Sequence, residues 1–171
     1  MYRLISLIFI LFVLSGCQII RTVGSLFNST NTSVNSFSNS EIDKLLRSAN
    51  RFQGIPYKSG GVNEDGMDCS GLLYRIYTDN YFIIPRSTIQ QAQFGLSIPL
   101  DKIQAGDWLF FRTNGSTNIN HIGFVMQTKG YRDVLFVHSS TSKGVRSDQL
   151  YANYWFKAFY KAIRPFKNIS N

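Results

Sequence analysis

Asp68-Cys69-Ser70-Gly71-Leu72-Leu73-Tyr74-Arg75-Ile76-Tyr77 is the stretch on which the reading of this chain turns. Leu72, Leu73, Ile76 and Tyr77 recur at helical spacing, and Gly66 breaks any earlier regular structure, so a helix is expected to begin here. Asp68 is the natural N-cap. Cys69 then stands in the first turn, among backbone N–H groups that have no intrahelical partner and at the positive end of the helix dipole. That position favours thiolate over thiol, and only thiolate attacks carbonyl carbon well. A lone cysteine is more often a small buried core residue. The surrounding sequence decides between the two readings.

Working outward toward the N-terminus, Ile55-Pro56-Tyr57-Lys58-Ser59-Gly60-Gly61 reads as a loop whose glycines let backbone approach a ligand closely. Tyr57 in that loop is either a phenolic donor reaching over Cys69 or a half-buried packing tyrosine. Before it, Ile42, Leu45, Leu46, Ala49 and Phe52 line one face of a helix that Ser40 caps and Gly54 ends, with Pro56 beyond. That stripe is core and carries no chemistry. On the C-terminal side, Ile83-Ile84-Pro85-Arg86-Ser87-Thr88 offers a turn and a cap, followed by a short helix through Gln90, Gln91 and Ala92 to Gly95.

From Ser97 the pattern becomes that of strands. Gly106-Asp107 is a turn feeding Trp108-Leu109-Phe110-Phe111, apolar on both faces and therefore buried. Thr113 to Asn120 is a polar loop. Ile122, Phe124 and Met126 alternate with His121, Gly123 and Val125, and Val134 to His138 returns after a turn at Lys129-Gly130. The aromatic tail Tyr154-Trp155-Phe156 packs back on the sheet and ends near Pro165. Helices first and strands later give an α+β domain, N-terminal helices packed on an antiparallel β-sheet.

The chain has 2 histidines, and both fall on the arms of that hairpin. With Lys129 and Gly130 as the central turn residues, His121 lies directly opposite His138, with Cβ atoms about 5 Å apart. A cysteine at a helix start beside paired imidazoles suits nucleophilic catalysis. His121 accepts the Cys69 proton and later returns it to a leaving amine, while His138 holds one tautomer of His121 by accepting its other N–H. The Cys69 backbone N–H and the Tyr57 hydroxyl are the candidate donors to a tetrahedral oxyanion.

With 171 residues, 44% hydrophobic, the chain has enough material for one core plus a leader. Net charge is +8, but no Arg/Lys cluster, zinc-ligand set or RNA-binding signature accompanies it, so nucleic acid is not an expected partner. A carboxylate-rich polymer suits such diffuse charge. Residues 1–17 read as a leader: Arg3, an apolar run from Leu4 to Leu14, then Leu14-Ser15-Gly16-Cys17. The run is about half of the ~20 residues that span a bilayer. Leu14-Ser15-Gly16-Cys17 resembles the bacterial lipobox, which implies lipidation of Cys17, anchorage to membrane, and, with Gln18 rather than aspartate next, an outer-membrane address. Residues 18–40, rich in Ser, Asn and Thr, read as a flexible tether to a domain at 41–168. Cys17 and Cys69 have separate tasks, so no disulfide is expected.

Pro56-Tyr57, Gly60-Gly61, Asp68-Cys69-Ser70-Gly71, Pro85-Arg86-Ser87-Thr88, Gly106-Asp107, His121-Ile122-Gly123 and Val137-His138-Ser139 together resemble, in order, the NlpC-type family of papain-like cell-wall cysteine peptidases. The match runs from about Ile42 to Phe166 and departs at the hairpin, where Thr128 to Asp133 is longer than the family pattern. The resemblance implies a papain-like fold with Cys69, His121 and His138 as the catalytic triad and Tyr57 on the oxyanion side. It places Asp68 and Ser70 where some members hold the stem peptide of peptidoglycan. It implies hydrolysis of peptidoglycan cross-links without metal or organic cofactor, most similar to the lipoprotein subgroup that cleaves the D-alanyl–diaminopimelate bond. The D-glutamyl–diaminopimelate bond and a non-catalytic wall-binding lipoprotein are the alternatives.

Overall fold

Helix α1 (Asn39–Arg51) is capped by Ser38, not Ser40. Ser38 and Glu41 satisfy each other's backbone N–H groups in a capping box, an exchange that the shorter Asp43 cannot offer Ser40. The computed structural model describes residues 36–130 and 132–168, so the leader, Cys17 and the tether as far as residue 35 lie outside the described residues. Ordered packing reaches further back than residue 41: the Phe37 ring meets Tyr77 and Phe82 edge-on at 5.5 and 4.9 Å.

After α1 the chain makes a two-stranded ribbon, β1 (Val62–Asn63) and β2 (Gly66–Met67). Gly66 therefore sits inside a strand pairing instead of simply ending one. Helix α2 (Cys69–Thr78) follows at once, capped by Asp68, whose carboxylate accepts the Gly71 N–H at 2.6 Å. Leu72, Leu73, Ile76 and Tyr77 are buried, as their spacing predicts. Gly71 has a separate reason to be glycine. A Cβ there would stand 2.0 Å from the Gly61 carbonyl oxygen, so only glycine lets α2 press against the loop before β1. Short α3 (Thr88–Gln91) is capped by Ser87.

Six antiparallel strands form the main sheet: β3 (Gly95–Ile98), β4 (Trp108–Phe111), β5 (His121–Thr128), β6 (Val134–Ser140), β7 (Gly144–Gln149) and β8 (Phe159–Pro165), with α4 (Asn153–Ala158) leading into the last. Their order is β3-β8-β4-β5-β6-β7. The tail thus does more than pack on the sheet; it becomes an interior strand. Arg164 on β8 reaches the buried Asp107 carboxylate at 2.9 and 3.0 Å, and Asp107 also takes the Gln104 N–H, so the Gly106-Asp107 turn ties the start of β4 to β8.

Each face of the sheet has its own core. Trp108, Phe110, Ile122, Phe124, Val137 and Val145 meet α1 and α2 on one side. Leu109, Phe111, Val125, Val134 and Phe136 meet Leu150, Trp155 and Phe159 on the other. Strand β4 feeds both, which is why all four of its residues are apolar and buried. Each fully buried aromatic ring contributes about 1.5–3 kcal/mol by leaving water. The two polar tips among the largest satisfy each other: the Trp108 indole N–H donates to Tyr77 Oη at 2.9 Å.

The hairpin register differs from expectation. Phe124 pairs with Val137 and Val125 with Phe136, the register slips between Val125 and Gln127, and the turn closes through a Lys129 N–H bond to the Asp133 carbonyl. The longer turn moves the pairing by three residues, from Lys129–Gly130 to Lys129–Asp133, and the bulge takes one back, which leaves a slip of two. Carrying the Phe124–Val137 pairing outward puts His121 opposite Ser140, two residues beyond His138. An even slip preserves the face, so the imidazoles still point the same way.

Candidate active site

Cys69 reaches the site from the first turn of α2, His121 from the first residue of β5 and His138 from β6. All three line one cavity of about 410 Å³, with Tyr57, Asn120, Ser140, Tyr154 and Trp155 around it. Tyr57 is carried there by a loop clamped between two strands. The Met67 N–H donates to the Pro56 carbonyl, and the Gly54 and Val145 N–H groups donate to the Val145 and Ile55 carbonyls.

His121 Nε2 lies 3.0 Å from His138 Nδ1, and His138 Nε2 lies 2.9 Å from Asp148 Oδ2 on β7. Arg146 in turn holds Asp148 Oδ1 at 2.6 Å. On β6 and β7, His138 pairs with Arg146 and Phe136 with Asp148, so His121, His138 and Asp148 step diagonally across three adjacent strands on one sheet face. Trp155 covers this row, its indole stacked on His121 at 5.4 Å and edge-on to His138 at 4.6 Å. Gly123 leaves room beneath: a Cβ there would meet the Phe136 ring at 2.3 Å, and that ring packs 5.3 Å from His138. The H-x-G spacing is thus a packing requirement of the histidine row.

Burial governs the protonation of the pair. It pushes His121 down to about 3, with His138 adding to the effect, and it pushes His138 below the ordinary imidazole range against the opposing pull of Asp148. Cys69 moves opposite to what its helix position predicts. Desolvation raises the thiol, outweighing the Thr88 hydroxyl, 3.9 Å from Sγ, and the Ile122 and Ser70 backbone groups, all of which favour thiolate. Desolvation and the helix-start amides act in opposite directions, and for this thiol, held beside Ile122 and Thr88, desolvation is the larger. Burial thus biases both groups toward their neutral forms in the cavity they share. Nucleophilic attack must therefore be coupled to proton transfer.

Asp68 and Ser70 are not among the residues that line the cavity. Arg86 donates to both Asp68 oxygens at 3.1 and 2.9 Å, to Ser70 Oγ at 2.7 Å and to the Gly61 carbonyl, while the Ser70 hydroxyl and the Gly60 and Gly71 N–H groups complete the carboxylate's partners. Against the cost of burial, these bonds hold the Asp68 carboxyl below its usual range. Arg86, Asp148, Arg146, Thr88 and Trp155 were not singled out by sequence as site residues. Asp148 and Arg146 lie in a strand whose mixed Gly-Val-Arg-Ser-Asp-Gln composition gives no period. Among the described residues no group of His, Cys, Asp and Glu side chains is arranged to hold a metal ion.

The chain as a whole resembles known proteins. The family model for the NlpC/P60 family matches residues 54–164. The chain belongs to the NlpC/P60 family. A Haemophilus influenzae protein named "Probable endopeptidase" is 36% identical over 125 residues, covering 72% of this chain and 74% of its own. Escherichia coli K12 murein DD-endopeptidase MepS/murein LD-carboxypeptidase is 33% identical over 150 residues, 84% of this chain and 76% of its own. Among solved structures, an NLP/P60 protein of Staphylococcus aureus, described as similar to lipoprotein, superposes with TM-score 0.68 at 27% identity. That match covers 81% of this chain and 46% of the other, so the chain spans about half of it. The mixed helix and antiparallel-sheet architecture is that of the family's papain-like structures, and this NlpC/P60 chain is a peptidase.

Proposed function

We propose that this chain is a lipid-anchored peptidoglycan endopeptidase that cleaves the D-alanyl–diaminopimelate cross-link through a cysteinyl acyl-enzyme. The observation that carries the mechanism is the 3.0 Å bond between His121 Nε2 and His138 Nδ1 in the cavity that Cys69 lines. His138 occupies one nitrogen of His121, leaving Nδ1 as the nitrogen available to the thiol. As substrate carbonyl enters, Cys69 Sγ attacks, its proton passes to His121 Nδ1, and the tetrahedral oxyanion is held by first-turn N–H groups of α2 and by Tyr57. Collapse returns the proton to the leaving amine. Water then attacks the thioester with His121 again as base.

The choice of bond rests on the DD-endopeptidase named at 33% identity over most of this chain. Asp68 and Ser70, tied to Arg86, brace the wall beside Cys69, and stem-peptide contact there would involve groups already engaged. Anchorage through Cys17 rests on the lipobox-like Leu14-Ser15-Gly16-Cys17, and the periplasmic face of the outer membrane on Gln18 after it. The test is a defined cross-linked muropeptide dimer incubated with the detergent-solubilised chain and resolved by mass spectrometry. Two monomers, one ending in D-alanine and the other bearing a free diaminopimelate amine, support the assignment. Fragments cut after D-glutamate would instead establish the alternative bond.

A further inference from the structure

The hydrogen-bonded row does not end at His138, and its far end determines its direction. An ionised carboxylate only accepts, whereas a neutral imidazole carries one N–H and one bare nitrogen. Asp148 Oδ2, 2.9 Å from His138 Nε2, therefore requires the His138 proton on Nε2. His138 Nδ1 is then bare and accepts from His121 Nε2–H across 3.0 Å. His121 in turn keeps Nδ1 bare. A row built the other way, with Nδ1–H on both rings, would turn an N–H of His121 toward the thiol and leave no base.

We propose that Asp148 is a positioning residue that sets both imidazole tautomers, so that the nitrogen of His121 offered to Cys69 is always the unprotonated one. This rests on the acyl-enzyme reading above for its consequence in catalysis, but the tautomers themselves are a property of the resting protein. Arg146, 2.6 Å from the other carboxylate oxygen, keeps Asp148 ionised and anchored on β7. Consistent with that, Asp148 is held below the usual carboxylate range by His138 and Arg146, against the burial that would raise it. The other titratable groups lining the cavity with the row are Cys69 from α2, Tyr57 from the loop before β1 and Tyr154 from α4, and the uncharged Trp155 indole covers it.

Two variants separate this role from mere packing. Asp148→Leu keeps the branched outline and removes the acceptor, while Asp148→Asn keeps an acceptor oxygen without charge. Because the chain has 2 histidines, long-range proton–nitrogen spectra of histidine-labelled protein contain only two imidazoles, and each tautomer is read directly. Wild type is expected to show Nε2–H on both rings. Asp148→Leu should populate Nδ1–H on both, lower kcat/KM by about 10- to 100-fold, the range expected when a buried donor loses its acceptor, and move the acid limb of the pH–rate profile downward. Asp148→Asn should restore Nε2–H and most of the activity. Nε2–H on both rings in folded Asp148→Leu, with or without a fall in activity, overturns the proposal. Full activity in Cys69→Ala would overturn the acyl-enzyme reading instead, and the spectra would still judge Asp148.

Discussion

His121 and His138 meet through a 3.0 Å bond although two residues of register separate them across the β5–β6 ladder. The contact is diagonal, which lets His138 also reach Asp148 on the far side. Replacing His138 therefore tests an orienting part rather than a proton acceptor for the thiol. His138→Asn retains a carbonyl that can accept the His121 N–H, and should keep measurable turnover with a weaker acid limb. His138→Ala should lose about 10²-fold or more, by analogy with other orienting residues. His121→Asn should be worse than either, since no base remains. Profiles of kcat/KM on a defined muropeptide read all three, and wild-type activity in His138→Ala at every pH would remove His138 from the site.

Cys69 should alkylate more slowly with iodoacetamide at neutral pH than a free thiol of pKa about 8.5, because burial raises it. The rate should climb only as the pH passes the ordinary thiol range. Faster alkylation than a free thiol near pH 7 would show that the helix-start amides dominate after all.

The contrast marks what the sequence made legible. Capping, spacing and the single thiol of α2 were readable because each is local, and β4 was readable because four consecutive apolar residues need two buried faces. Strand β8 hid behind Lys161 and Arg164, charges that look foreign to an interior strand until the Ala92 carbonyl and Asp107 take them up. Asp148 hid for a related reason. Its partner lies ten residues back, across a turn that nothing in the local pattern announced. The hairpin register failed at the turn, which closes on Asp133 and not on Gly130, and shifted again at a bulge beside Met126; alternation reveals neither, while the net even slip kept both histidines on the same face.

Both imidazoles are depressed in the fold, His121 to about 3 from 6.5. As pH falls, the unfolded chain binds these protons first, so the stability they confer is fully present above about pH 6.5 and is lost as pH falls toward the folded values. Ordinary carboxylates titrate near or below about pH 4.5, so the upper part of that window reports the imidazoles. Each imidazole that stays neutral should cost roughly 1.4 kcal/mol per pH unit below 6.5. Urea unfolding between pH 7.5 and 4.5 measures the slope, and the His121→Gln/His138→Gln double variant should flatten it. A flat wild-type curve would show that the row protonates freely in the native state.

Anchorage is tested apart from catalysis. Cys17→Ser should lose incorporation of labelled palmitate and leave the chain soluble or held by an uncleaved leader. Palmitate that still enters the variant would place the lipid elsewhere.

The central claim is that Cys69 cleaves peptidoglycan, and the most direct measurement is muropeptide release from purified sacculi by wild type and by Cys69→Ala, followed by mass spectrometry. The account predicts cross-link cleavage by wild type and none above background by a Cys69→Ala protein whose circular dichroism and melting match it. Equal release by the two proteins, or intact sacculi with both, would contradict it.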